Sequence, residues 1–150
     1  MLDAIDLKVL DILQESGRTK RNVLAEKVGL SLPSVSDRLK KLEEHGIIEG
    51  YYTKLNRKAF GFDLMAFITV VTASSKNYEG FIEKASKMPE IVECHSVLGE
   101  GSHILKAIVK DSSALEALLG TIQSWQGVNR TITSLVLSTS KETTKIHINK

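Results

Sequence analysis

Apolar positions in the first third of the chain recur at helical spacing. Ile5, Val9, Ile12 and Leu13 make one face of a first helix. Asp3 and Asp6 stand at its start in a box-like capping arrangement, and Gly17 is placed to end it. A second helix starts after Thr19, whose hydroxyl suits an N-cap. Val23, Leu24 and Val28 are its apolar residues, and Ala25 suits a close helix approach. Gly29 stops it and Leu30 turns back to the core. Ser31 caps a third helix over 32–45, with Pro33 in the first turn, where no intrahelical N–H partner is lost. Val35, Leu39 and Leu42 share its buried face, and Gly46 ends it. Residues 47–53 then read as a strand, with Tyr51 and Tyr52 on opposite faces, forming a wing or part of the link to the next domain.

After Gly61 the period changes. Residues 64–73, LMAFITVVTA, are β-branched and aromatic, as in a buried strand. Phe81, Ile82 and Ala85 mark a helix over 78–88, closed by Pro89. Strands follow over 91–98 and 104–109, with a turn at 99–102. Ser112 or Ser113 caps a helix through Trp125 carrying Leu115, Leu118, Leu119 and Ile122. Gly127 breaks it, and 128–140 returns as a long strand. The order is β-α-β-β-α-β, the ferredoxin-like split arrangement. Helices on one face of a four-stranded sheet leave its other face needing cover, and a second subunit is the simplest answer. The tail, 141–150, alternates Ile146 and Ile148 with polar residues, as a short strand or a flexible end. The expected class is α+β. Residues 1–53 are expected to form a helical domain of winged helix-turn-helix outline, and 54–61 a linker. Residues 62–150 form a ferredoxin-like domain whose open sheet face suits dimerisation.

Two helices joined by a short glycine turn are the outline of a helix-turn-helix, whose second helix enters the DNA major groove. Charge sharpens this. Residues 18–41 hold seven cations (Arg18, Lys20, Arg21, Lys27, Arg38, Lys40, Lys41) against Glu26 and Asp37, in a chain whose net charge is only +2. The candidate DNA-facing set is Lys20, Arg21, Asn22, Ser31, Leu32, Ser34, Ser36, Asp37, Arg38, Lys40 and Lys41. Small hydroxyls approach base edges, Arg38 reaches a guanine or a phosphate, and Lys40 and Lys41 suit phosphates. The bland alternative is a solvated helix face, and for Arg38 an ion pair inside the domain. Its helical neighbours Ser34, Val35, Lys41 and Leu42 include no acid, so such a partner must come from another element. Lys54, Arg57 and Lys58 read as solvated linker cations rather than DNA contacts.

Composition narrows the rest. Apolar content of 42% supports packed cores, and no apolar run approaches the roughly 20 residues that span a bilayer. The acidic amphipathic start is neither a signal nor a transit peptide, and a lone Cys94 excludes an internal disulfide framework. The expectation is a cytoplasmic protein with no membrane role. Cys94, His95 and His103 are the best candidates for a nucleophile or metal site. Cys94 and His95 are adjacent in a strand and point to opposite faces, and no metal or nucleophile spacing appears. The chain is therefore expected not to be an enzyme and to need no cofactor.

Three stretches resemble the Lrp/AsnC family, the leucine-responsive or feast/famine regulators. They are LDAIDLKVLDILQESGR, LAEKVGLSLPSVSDRLKKLEEHGIIEGY and PEIVECHSVLGEGSHILKAIV. The resemblance covers nearly the whole chain. It implies a winged helix-turn-helix, a second domain that dimerises and often binds amino acids, and dimers or octamers that bend or wrap double-stranded DNA. The family usually has Gly-Asp-Tyr-Asp-Tyr in a loop that lines an effector site between dimers. Here the matching residues are Gly99, Glu100, Gly101, Ser102 and His103. A serine replaces the second acid and is a weaker partner for an α-ammonium group. Three outcomes stay open: Glu100 substitutes, another small effector binds, or none does. A tight glycine hairpin is the structural alternative. The expected function is sequence-specific transcription regulation by a homo-oligomer. The competing one is an architectural DNA-compacting protein with weak base preference, which would share the strong salt dependence.

Overall fold

The computed structural model describes residues 2–148. Packing divides the chain into two units, one of residues up to Lys54 with the tail from Lys141, the other Leu55–Ser140.

The first unit is built on α1 (Ala4–Glu15), α2 (Arg21–Val28) and α3 (Leu32–Glu44). Asp3 and Asp6 form the capping box of α1, each side chain accepting the other's backbone N–H. Thr19 does not cap α2: Lys20 holds the N-cap position without a side-chain bond, and the Thr19 hydroxyl donates to the Ser16 carbonyl instead. Gly29 ends α2 at φ +70°, a left-handed geometry that a side chain would strain. Ser31 caps α3 as expected. Val9, Leu24, Ala25, Val35, Leu39 and Leu42 form one core, and each fully buried Val or Leu contributes roughly 1.5–3 kcal/mol. Residues 47–53 are not a strand but irregular chain. The β-rich composition there finds no neighbouring strand to pair with, and a ladder needs one.

Over residues 141–148 the tail returns to this unit without forming a strand. Gln14 of α1 clamps the Ile146 backbone, its amide nitrogen donating to the carbonyl at 3.1 Å and its oxygen accepting the N–H at 2.8 Å. Lys145 pairs with Asp11 and Glu15, and Lys54 with Glu142.

The second unit carries β1 (Leu64–Thr72), α4 (Tyr78–Lys87), β2 (Ile91–Ser96), β3 (His103–Val109), α5 (Ser112–Gln123) and β4 (Val128–Leu135). The sheet is antiparallel in the order β2-β3-β1-β4, the ferredoxin-like arrangement. Asp111, one residue before the expected serines, caps α5. The strand expected over 128–140 stops at Leu135, which pairs with Ala66 close to the start of β1, and the Val136 N–H makes a last bond to the Met65 carbonyl. Ile68, Val70, Leu105, Ala107 and Val109 alternate onto the helix side and pack with Phe81, Ala85, Leu118, Ile122 and Trp125. The opposite side shows Phe67, 40% exposed, and half-buried Ile104, Ile108 and Ile132.

A candidate nucleic-acid interface and a candidate effector loop

On α3 the helical period separates a buried from an exposed side. At about 100° per residue, Lys40 and Asp37 lie about 140° and 160° from Val35. Ser31, Leu32, Ser34, Asp37, Lys40 and Lys41 are exposed, and Ser36 is half-buried. Leu32 keeps 48% of its surface open, an apolar group placed beside the capping serine. The Ser31 and Ser34 hydroxyls share a 2.8 Å hydrogen bond. Lys41 pairs with Asp37 at 2.8 Å, and the Lys41 ammonium holds that carboxyl below its usual range. Lys40 meets Glu44 at 3.6 Å. These pairs are solvent-exposed and weak. Lys20, Arg21 and Asn22, at the start of α2, are exposed as well. Among the described residues, neither Lys20 nor Arg21 makes a salt bridge, so both cations keep their charge open to an anion.

Arg38 is placed differently. Its guanidinium Nη1 lies 2.7 Å from Asp3 Oδ2 and 2.7 Å from Asp6 Oδ1. The ion pair named above as the alternative to DNA contact is present, and its partners sit on α1. The Asp6 N–H, then the Arg38 guanidinium, hold the Asp3 carboxyl below its ordinary range. Asp3 and Asp6 enter the site although the sequence marks them only as caps. Their i, i+3 spacing shows that they face each other, but nothing in it points to α3.

In the second unit the β2–β3 connection brings Gly99, Glu100, Gly101 and Ser102 together at the surface side of β1. Gly99 has φ +144°, a conformation that favours glycine. The Ser102 N–H donates to the Val70 carbonyl at 2.9 Å. The Ser102 hydroxyl meets Thr72 Oγ1 at 3.1 Å and His103 Nδ1 at 2.8 Å. Glu100 pairs with Arg130 of β4 at 2.9 Å, and both are exposed. His103 does not join this surface. It is fully buried on the helix side, its ring 4.8 Å from Tyr78 and 4.7 Å from Phe81 between centroids. Among the described residues its Nε2 has no hydrogen-bond partner, and burial pushes its pKa down. Thr72 and Arg130 were not visible as members of the loop because strand pairing, not spacing, brings them there. Cys94 packs on the helix side, where burial raises its thiol pKa, while His95 is exposed and bonded to Glu93. No group of three metal-binding side chains occurs among the described residues, and no helix there is long and apolar enough to cross a membrane.

Comparison with known proteins agrees with both units. Residues 2–49 match the winged helix-turn-helix DNA-binding model, and residues 65–146 match the Lrp/AsnC ligand binding domain. An HTH-type transcriptional regulator of Pyrococcus furiosus is 33% identical over 99% of this chain and 97% of its own. The leucine-responsive regulatory protein of Haemophilus influenzae is 38% identical over 95% and 87%. A transcriptional regulator from Neisseria meningitidis, solved as a complex with L-methionine, superposes with a TM-score of 0.93 at 35% identity, covering 99% of this chain and 98% of that one. A feast or famine regulatory protein from M. tuberculosis, also complexed with L-methionine, gives 0.92 at 32% identity, covering 99% and 100%. With a helix-turn-helix unit ahead of a ligand-binding βαββαβ unit, this chain belongs to the Lrp/AsnC family of DNA-binding transcription regulators.

Proposed function

We propose that α3 reads a specific duplex sequence in the major groove, in a homodimer whose two reading helices meet successive turns of one site. The observation that carries this reading is the composition of the exposed side of α3 and of the start of α2. Short hydroxyls and Leu32 flank the α3 N-terminus, and Lys20, Arg21, Asn22, Lys40 and Lys41 surround them. Hydroxyls and an apolar side chain suit base edges and thymine methyls, while the cations suit phosphates on either side. Asp37 neutralises Lys41 in free protein and gives it up to DNA.

Dimerisation is assigned to the sheet side opposite the helices. Phe67 there is 40% exposed amid half-buried isoleucines, a surface that a second copy would cover. Octamers built from such dimers fit the family. The 99–102 loop takes a small effector. Glu100 and Arg130 offer opposite charges 2.9 Å apart, matching the ammonium and carboxylate of an amino acid such as the L-methionine of the two solved relatives. The protein works in the cytoplasm as a binding protein without a catalytic step.

The test is selection of bound duplexes from a random pool at two salt concentrations, with and without amino acids. An enriched palindrome with half-sites about one helical turn apart supports the dimeric reader. Salt-sensitive retention without an enriched sequence favours the architectural alternative.

A further inference from the structure

Asp3 and Asp6 spend their four carboxylate oxygens without overlap. Asp3 Oδ1 accepts the Asp6 N–H and Asp6 Oδ2 accepts the Asp3 N–H. The two remaining oxygens, Asp3 Oδ2 and Asp6 Oδ1, both take Arg38 Nη1. The ring is closed: a capping box on one helix is completed by a cation from another. Two carboxylates held this near each other repel, and the guanidinium between them removes that cost. The Asp6 side chain keeps only 14% of its surface exposed and that of Arg38 28%, so the contact is better sheltered than the lysine pairs of α3.

The helix period places Arg38 on the same side. It stands three residues after Val35 and four before Leu42, about 60° from the buried stripe. Lys40, by contrast, lies on the far side of the helix. The guanidinium is aimed at α1 by its bonds to Asp3 and Asp6, although Ser34 and Lys41 stand one turn to either side of Arg38 on α3.

We propose that Arg38 is a positioning residue for DNA reading and not a DNA contact. Through the Asp3–Asp6 box it fixes the seating of α3 on α1, and so the angle at which α3 presents its exposed side. The proposal rests on the groove-reading role assigned above to α3.

The two roles predict opposite results. If Arg38 touched DNA, the acids would compete for it, and Asp6→Asn would release it and tighten binding. If Arg38 is a buttress, Asp6→Asn weakens binding as Arg38→Ala does. Asparagine keeps a cap acceptor, so α1 retains its start in that variant. The probe is the random-sequence duplex pool, together with any duplex enriched from it, titrated over a range of salt.

Expected results are a roughly tenfold loss of affinity for each single variant on the enriched duplex, the size of one charge-assisted hydrogen bond. The double variant should bind no worse than the weaker single one, because both break the same ring. The slope of log K against log salt should stay at the wild-type value. A slope lower by about 0.9 in Arg38→Ala, the loss of one phosphate contact, overturns the proposal. So does tighter binding by Asp6→Asn, or unchanged binding in both variants. Should Arg38→Ala not fold, the sign of the Asp6→Asn effect still decides. Wild-type protein that fails to bind the pool removes the reading role of α3, and this proposal with it.

Discussion

Gly101 approaches Val70 so closely that a Cβ on Gly101 would stand 2.8 Å from the Val70 carbonyl oxygen and 2.5 Å from Thr69 Cγ2. The Ser102 N–H bonds to that same carbonyl, so the contact is fixed from two directions. Neither neighbour yields cheaply, one being backbone and the other a β-branched methyl. Gly101→Ala should therefore destabilise the second unit by about 1–3 kcal/mol, the usual cost of overpacking. Urea unfolding followed by the fluorescence of Trp125 checks it, and a midpoint equal to wild type would show that the loop relaxes freely.

His103 gives the second unit a pH dependence. Burial lowers its folded pKa below the ordinary value of about 6.5. Below that value the unfolded chain binds a proton that the folded protein refuses, so stability rises with pH across this window. It is complete above about pH 6.5 and declines as the pH falls towards the folded value. His103→Phe should flatten this limb of a melting-temperature profile. A limb that persists unchanged would assign it to another group.

Much of the helical unit is legible in local spacing. Three helices, the Ser31 cap, the Gly29 stop and the α3 core stripe follow from it, and the structure has them. Caps chosen among neighbouring polar residues fared worse: Asp111, Ser112 and Ser113 are all competent, and only the extended backbone at Asp111 selects it. Strand limits are set by partners, which is why 47–53 is no strand and β4 ends at Leu135. Arg38 was recognisable as a functional candidate, but its acids lie 32 and 35 positions away, beyond any periodicity. The loop at 99–102 was legible as glycine-rich; that His103 turns inward follows from strand alternation relative to Leu105 and Ala107.

On the exposed side of α3, the serines and lysines should separate in a titration. Ser34→Ala and Ser36→Ala are expected to change which duplexes are enriched while leaving the salt slope intact. Lys40→Ala and Lys41→Ala should each reduce the slope by about 0.9 with little change in base preference. The reverse pattern would exchange their roles.

Phe67 offers a direct test of self-association. Phe67→Glu places a charge in the middle of the proposed dimer surface, next to Lys106 and Ser134 in the sheet register. Sedimentation should show dissociation to monomers and, with it, weakened DNA binding. A dimer that survives the substitution would move the interface elsewhere.

Gln14→Ala removes both hydrogen bonds to the Ile146 backbone. The expected loss is about 1 kcal/mol per bond at most, since both are solvent-exposed. Faster hydrogen exchange at the Ile146 amide is the sharper readout, and an unchanged rate would mean that the ion pairs of the tail suffice to hold it.

The Gln14–Ile146 clamp spans 132 positions, and it joins a segment made early on the ribosome to one made late. Helices α1 to α3 carry local contacts and can collapse as soon as they emerge. Their unit nevertheless waits for the whole of Leu55–Ser140 before the tail that belongs to it exists. During that interval Gln14, Asp11 and Glu15 stay without their partners in the tail. The DNA-binding unit thus begins to fold first and is completed last, after the sheet-forming segment has been made.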